Sequence, residues 1–453
     1  MASPLAFETD STWYESRADR PPLGETLNRE VETETCIVGA GLAGLYLARE
    51  LGERKREAVV IEARRVGLGA SGRHGGFCGP GWACEGEKIE NRLGLEKAKT
   101  FFNLSLEGFQ MVLDVLESAK APMTPGILHP STYNNPHGLQ KDLERMAQVY
   151  GYELDYMETD AVRNVLDTEK YYQALRDPRA FHFDALELCL ILAEILKSAG
   201  VPVYENSSMT EFHKTGTGWI LKTGQGSVRC RNLVFCCGGY GGKEFRKLRR
   251  AFLPITTYII VTPPMGEPLK QCIGTSDGVS DERRAGNYYR IVDGDRLLWG
   301  GDITAFGELH PQHIARKMSR DLAGVYPQLA DHQGEIPVEY SWSGLMGYAR
   351  HLMPEIGPLD DGLWACTSFG GHGANTAPIG GRLVAEAICS ESERWNLFNA
   401  YGFPGMAGLS GPMQWNPSIG KCSLEIIGGH SVPGFENSGN RNPVPTLFLS
   451  IKR

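Results

Sequence analysis

Two periodicities alternate along this chain. Short unbroken apolar runs predict buried strands, and stretches with an apolar residue every third or fourth position predict helices. Cys36-Ile37-Val38 is a strand of the first kind, and it runs straight into Gly39-Ala40-Gly41-Leu42-Ala43-Gly44. A helix is expected from there to about Leu51, then a second strand, Val59-Val60-Ile61, ending on Glu62. Between Leu93 and Ala119 the residues Phe101, Leu104, Leu106, Phe109, Met111, Leu113 and Leu116 carry the spacing of a long amphipathic helix. Shorter helices are expected over Lys141–Tyr150 and Asp160–Leu166. Asp184-Ala185-Leu186-Glu187 has the form of a capping box ahead of an apolar helix that stops near Gly200. Short strands follow, and Leu233–Cys237 is a buried strand running into Gly238-Gly239. From 252 to 340, strands at Thr256–Thr262, Asn287–Val292, Arg296–Gly300 and Val338–Trp342 surround a helix over His310–Gly324. That alternation predicts an antiparallel sheet with one face buried and the other free to cover a ligand. A last strand, Leu363–Thr367, opens onto Ser368-Phe369-Gly370-Gly371-His372-Gly373 and a helix over Ala377–Cys389.

The 453 residues allow two or three domains, or two interleaved ones. A formal charge of -8 argues against nucleic acid or an anionic membrane as partner, and the basic run Arg246–Arg250 reads as a solvated helix face. No secretory signal is expected at the N-terminus, where Trp13 and Tyr14 anchor a polar lead-in over residues 1–33. The most apolar helix, Leu186–Leu196, is interrupted by Glu187 and Glu194 and is too short to span a bilayer, so no transmembrane segment is expected. Eleven scattered cysteines with no CxxC pair point to reduced thiols in the cytoplasm, without a disulfide framework or a metal site.

The chemistry gathers first around the glycines. Gly39 allows the tight strand-to-helix turn, Gly41 lets backbone approach a pyrophosphate, and Gly44 lets the helix lie close to the strand. Leu42 and Ala43 open that helix, whose N-terminus favours phosphate. Glu62, with Ala63 and Arg64 after it, lies where a carboxylate accepts hydrogen bonds from a ribose. This predicts a dinucleotide site without saying which dinucleotide. Gly67–Gly81 is too glycine-rich for a helix or strand and holds Gly69, Ala70, Ser71, Gly72, Arg73 and His74. Such a loop beside a nucleotide fold suits close approach to a ligand.

Three stretches, GAGLAG…VVIEARRVGLGASGRHGG, DALELCLILAEILKSAGVPVYE…LVFCCGGYGG and SFGGHGANTAPIGGRLVAEAI, resemble the D-amino-acid-oxidase-like (DAO) superfamily of flavoenzymes. The resemblance runs over about residues 12–415 and is strongest to the gamma-glutamylputrescine oxidoreductase branch. It implies FAD, and an α/β (overall α+β) fold in two parts. A Rossmann-like FAD-binding domain is expected from the discontinuous segments 30–115, 178–250 and 340–395. An antiparallel substrate domain from 116–177 and 251–339 is expected to roof the flavin. Residues 396–453 are expected to form an atypical, partly disordered tail.

The same resemblance places Met209 on the adenine side, and Gly69–Gly76, Gly238, Gly371, His372 and Gly373 along the rest of the cofactor. It implies oxidation of the C–N bond of a small amine or amino acid. Hydride leaves the carbon beside nitrogen for flavin N5, and the imine is hydrolysed. Molecular oxygen or another acceptor then takes the electrons. Candidates for substrate contact are His372, Tyr258, Tyr288, Tyr289 and Arg290, the last able to grip a carboxylate with two N–H groups. Trp342 is a candidate pocket wall, although a strand Tyr or Trp is also a good core residue. His74 stands where the branch often has Asn, as a variant, a polar neighbour of the flavin or a point of covalent attachment. Two other classes are open: an NADP-linked reductase using Arg64 and Arg65, and a flavin-binding protein with little turnover because of its divergent end.

Overall fold

The computed structural model describes residues 12–18, 20, 23–241, 245–283, 286–305 and 310–404. Its first sheet grows from Glu30–Val38, which pairs in parallel with Ser227–Phe235 on one side and Ala58–Ile61 on the other. Val203–Tyr204 extends it at one edge, Leu363–Thr367 and Glu355–Asp360 at the other. Side chains of the central strands alternate between two cores. Ile37, Val60 and Val234 pack against the helices Leu42–Glu53, Leu95–Ala119, Ala185–Ser198 and Gly373–Ile388. Cys36, Val38, Val59, Ile61, Leu233 and Phe235 pack on the other face, beneath the hairpin Met209–Lys214/Trp219–Thr223. Strands covered on both faces carry unbroken apolar runs, and for that reason these three are plain in the sequence.

The Ala185–Ser198 helix starts as its sequence directs. Asp184 Oδ1 accepts from the amides of Leu186 and Glu187, at 3.0 Å each. The last helix begins at Gly373, four residues before its expected start, and takes Pro378 into its interior. No helix among the described residues is long and apolar enough to cross a membrane.

The second sheet has nine strands. Tyr340–Ala349, Phe252–Val261, Arg296–Thr304 and Tyr288–Val292 follow one another antiparallel, then Gly278–Ser280, Met123–Pro130 and Ala174–Phe183. Two features depart from expectation. The sheet is not wholly antiparallel, because Gly278–Ser280 lies parallel to Met123–Pro130. Phe77–Cys78, residues 178–183 of one long strand and the whole of Tyr340–Ala349 pair here, although sequence grouped them with the nucleotide segments. Tyr340–Ala349 is matched residue for residue along Phe252–Val261, and that ladder holds it in the roof.

The lead-in is anchored by Trp13 and Tyr14, both buried; the Tyr14 hydroxyl donates to the His74 carbonyl at 2.8 Å. At the other end, residues 396–404 are not a loose tail. Phe398 and Tyr401 enter the main core beside Trp82 and Phe101. Residues 405–453 lie outside the described ones.

Candidate active site

A cavity of about 2080 Å³ lies between the two sheets. Ordinary small-ligand pockets run to roughly 1,000 Å³, so this one has room for a dinucleotide and a second molecule. Its nucleotide end is built by the first strand-helix-strand unit. Gly39, at φ 109°, turns the chain, and a Cβ at Gly44 would lie 1.9 Å from the Gly39 carbonyl oxygen, so the helix sits directly on the turn. Gly41, Leu42 and Ala43 form the wall there. A Cβ at Gly41 would come 2.8 Å from Ser71 Oγ, which itself accepts from the Leu42 amide at 3.0 Å. The glycine-rich loop is thereby stitched to the helix N-terminus, leaving the Ser71 proton available to a phosphate oxygen.

Glu62 follows directly on the second strand and faces the same cavity. Its carboxylate accepts from the amides of Ala40 at 2.8 Å and Arg64 at 3.0 Å. Burial pushes its pKa up, opposed by those two amides. Ala63, Arg64, Ser207, Ser208 and Met209 complete this end. The Arg65 guanidinium donates to the Arg20 carbonyl at 2.7 Å, which draws it away from the ribose position.

Along the cavity run Gly69, Ala70, Ser71 and His74 from the first loop, Gly238 and Tyr240 after the Ser227–Phe235 strand, and Gly371, His372 and Gly373 before the last helix. These segments are far apart in sequence and meet here. Gly72 stands behind the wall, where a Cβ would strike the Gly67 carbonyl at 2.4 Å. Asn375 ties two loops together, its amide donating to the Gly81 carbonyl at 3.1 Å.

Four histidines line the cavity, and burial lowers the pKa of three of them, His74, His129 and His372, favouring their neutral form. His74 falls to about 4, helped by the Arg290 charge. Its Nδ1 accepts from the Gly76 amide at 3.0 Å, and its buried Nε2 has no hydrogen-bond partner. His372 bonds the Pro80 carbonyl and lies near His129, which bonds Ser280.

Roof candidates divide by strand face. Tyr288 lines the cavity with its hydroxyl toward Thr257, and burial raises its pKa. Trp342 lines it too, its indole N–H donating to the Arg73 carbonyl at 2.8 Å. Tyr258 and Tyr289 point the opposite way, into the roof's own core; Tyr258 shares a 2.7 Å hydrogen bond with Thr304, and Tyr289 stacks on Trp299 at 4.5 Å. Ile255, Thr257 and Ile259 are the residues that strand turns to the cavity. Arg290 is fully engaged elsewhere. Its guanidinium donates to the carbonyls of Gly75 and Phe183, each at 2.8 Å, and to the Tyr14 hydroxyl at 3.1 Å. It fastens the glycine-rich loop to the roof and has no fork left for a carboxylate.

The wall also holds residues that sequence reasoning passed over. Trp82 and Ala83 follow directly on the glycine-rich loop, and their position was the only signal. Phe102, His129, Tyr152 and Asp177 come from a helix, two strands and a connecting loop, with no shared motif.

The residues present fit FAD. Glu62 could hold a ribose and the Gly39–Gly44 helix entry a pyrophosphate, while three glycine loops line a cavity with volume for the remainder. The family described as DAO, FAD dependent oxidoreductase, matches residues 34–387. Gamma-glutamylputrescine oxidoreductase of Escherichia coli (strain K12) is 28% identical over 406 residues, covering 88% of this chain and 94% of that protein. Glycine oxidase of Pseudomonas aeruginosa is 22% identical over 378 residues, covering 78% and 93%. The solved structure of glycine oxidase from Geobacillus kaustophilus superposes with a TM-score of 0.67 at 19% identity, covering 83% of this chain and 99% of that one. With a nucleotide end built on Gly39–Glu62 and a family match over most of its length, the chain belongs to the DAO family of FAD-dependent oxidoreductases.

Proposed function

We propose that this protein oxidises the C–N bond of an amine held between the glycine loops and the roof sheet, with molecular oxygen as final acceptor. When bound, FAD supplies the acceptor for the hydride that leaves the carbon beside nitrogen. The imine product then adds water and separates into a carbonyl compound and an amine. Hydride leaves only from an unprotonated amine, so the site must receive a neutral nitrogen. The observation that carries the reading is the family's cofactor site opening onto a compartment of neutral imidazoles and aromatic rings. With Arg290 spent on Gly75 and Phe183, the expected carboxylate clamp is gone, which favours an amine over an α-amino acid.

The FAD-loaded protein is to be mixed anaerobically with a panel of amines and amino acids. Bleaching of the flavin by an amine, with peroxide formed when air is admitted, is the expected result. A flavin that no panel member bleaches defeats the reading, and bleaching without peroxide defeats the oxygen part alone. The rate of reduction should rise with pH along the substrate's own ammonium titration, without a break near 6.5 from His74, His129 or His372, because burial holds each below its ordinary value. All ten cysteines among the described residues are free, which supports a reducing, cytoplasmic setting.

A further inference from the structure

One wall of the cavity belongs to a surface helix, Pro136–Tyr150. Its residues Leu139, Leu143, Met146 and Tyr150 recur every three or four positions and form a single apolar stripe. Such a stripe normally sinks into a core. Here none of the four is fully buried, nor is any other residue of the helix. The space beneath accounts for this. Met146 borders the cavity, as do Thr132 ahead of the helix and Tyr152 and Leu154 behind it. The stripe covers a void rather than a core.

The helix is fastened unequally. Both of its ends are rooted in the roof. Buried Gln173 accepts from the Asn135 amide at 3.1 Å and donates to the Asn134 side chain at 2.8 Å. The Tyr152 hydroxyl donates to Asp177 at 2.7 Å. Gln173 directly precedes the Ala174–Phe183 strand and Asp177 lies on it, so the two roots sit along one strand and define an axis. Toward the nucleotide part the hold is lighter. Glu90, on the Gly86–Leu93 helix, accepts from the Tyr150 hydroxyl at 2.6 Å and pairs with Arg145. The Arg145 side chain is 39% exposed, and ion pairs so open to water contribute little. The Tyr150 ring rests on Phe102, with centroids 4.9 Å apart. Between this latch and the second root lies Gly151, at φ 63°, where a Cβ would meet nothing within 4 Å. The chain is free to turn there.

We propose that Pro136–Tyr150 is a lid over the substrate compartment, turning about its two roots in the roof and latched to the Gly86–Leu93 helix by Glu90. The inference rests on the reading of this compartment as the one that holds the substrate. Closed, the lid keeps water from the carbon that gives up hydride. Open, it lets substrate and product pass between Met146 and Phe102. One hydrogen bond to a carboxylate and one exposed ion pair are a light latch, so a minor open population exists at all times and grows when the latch is removed.

The test uses full-length, FAD-loaded protein and dithionite, which reduces a flavin without any amine. Its second-order rate of reduction should follow the open population. Glu90→Ala should raise that rate ~10-fold, the change expected on losing a hydrogen bond to a charged group. Tyr150→Phe keeps the ring on Phe102 and Glu90→Gln keeps an acceptor for Tyr150, so both should fall in between. Amide hydrogen exchange over residues 139–151 should quicken in the same order, with FAD content and melting temperature little changed. Asp360→Ala, which breaks an exposed pair with Lys214 elsewhere, should alter neither rate. Equal dithionite rates in the unaltered protein and the Glu90 and Tyr150 variants overturn the proposal, and so does an equal rise in Asp360→Ala. Faster exchange of the helix without faster reduction also overturns it, since the helix then guards nothing. If no amine bleaches the flavin, the amine-oxidation reading fails by itself, and the dithionite rates still decide the lid.

Discussion

Glu62 holds two backbone amides at the entrance to the nucleotide site, joining the end of one strand to the turn after another. Hydrogen bonds to a charged group contribute roughly 1.5–3 kcal/mol. Glu62→Ala should therefore weaken FAD binding by at least ~10-fold, read as flavin absorbance per protein after gel filtration. Glu355 behaves differently. It is buried behind Ser368, whose hydroxyl donates to one carboxyl oxygen at 2.7 Å while the other oxygen has no partner. Burial raises its pKa to about 7. A carboxyl raised in the folded state binds its proton more tightly there than in the unfolded chain. Its ionisation thus destabilises the fold increasingly as pH climbs from the ordinary range near 4.5 through 7. Glu355→Gln should stabilise the protein by ~2–3 kcal/mol at pH 8 and make little difference at pH 4, in paired thermal melts. Arg290 is a positioning residue: Arg290→Met leaves the Gly75 and Phe183 carbonyls unpaired in the interior. A loss of about 3 kcal/mol of stability and looser FAD are expected, with half-saturation by amines little changed. A selective effect on amino-acid substrates would instead restore it as a carboxylate clamp.

Helices meet around the cofactor site by close backbone approach, and glycine makes that possible. A Cβ at Gly108, on the long Leu95–Ala119 helix, would lie 2.0 Å from the Asn375 carbonyl of the last helix. One at Gly381 would lie 2.7 Å from the Leu47 amide of the first. Gly108→Ala should force those helices apart, at a cost of ~1–3 kcal/mol for overpacking. Because Asn375 also holds the Gly81 carbonyl, flavin content should fall with the melting temperature, an outcome that absorbance and a thermal melt read together. Strands pose another problem. Period-two alternation says which side chains share a face, but not which face meets the ligand. Thr257 and Tyr258 are neighbours on one strand, with a register shift between them, and only Thr257 reaches the cavity. Tyr288 and Tyr289 part in the same way. The side chains alone give no reason to prefer the threonine.

The cavity belongs to the whole molecule, since its walls come from both sheets and from loops hundreds of residues apart. FAD should bind the folded protein alone and raise its stability by about 2.7 kcal/mol at a hundredfold excess over its dissociation constant. A melting temperature higher by several degrees with FAD and unmoved by NADPH is expected. A shift with NADPH instead would revive the reductase reading that the Arg65 geometry disfavours. The strand-helix-strand unit and its acid were legible because they lie within one continuous stretch, Cys36–Glu62. Local rules of turning, capping and burial act there without distant partners. The glycine loops near 70, 238 and 371 were legible as loops, and the family resemblance gave them a common ligand. What the chain's order could not convey was the commitment of Arg290, the face of Tyr258 and the roof position of Tyr340–Ala349. Each depends on pairing across long sequence separations, where the partner decides whether a polar group is spent or left facing the cavity. The sequence by itself determined a strand-helix-strand unit suited to the ADP end of a dinucleotide; only the tertiary structure decided which charges are already paired, because an ion pair is settled by what the fold brings within reach.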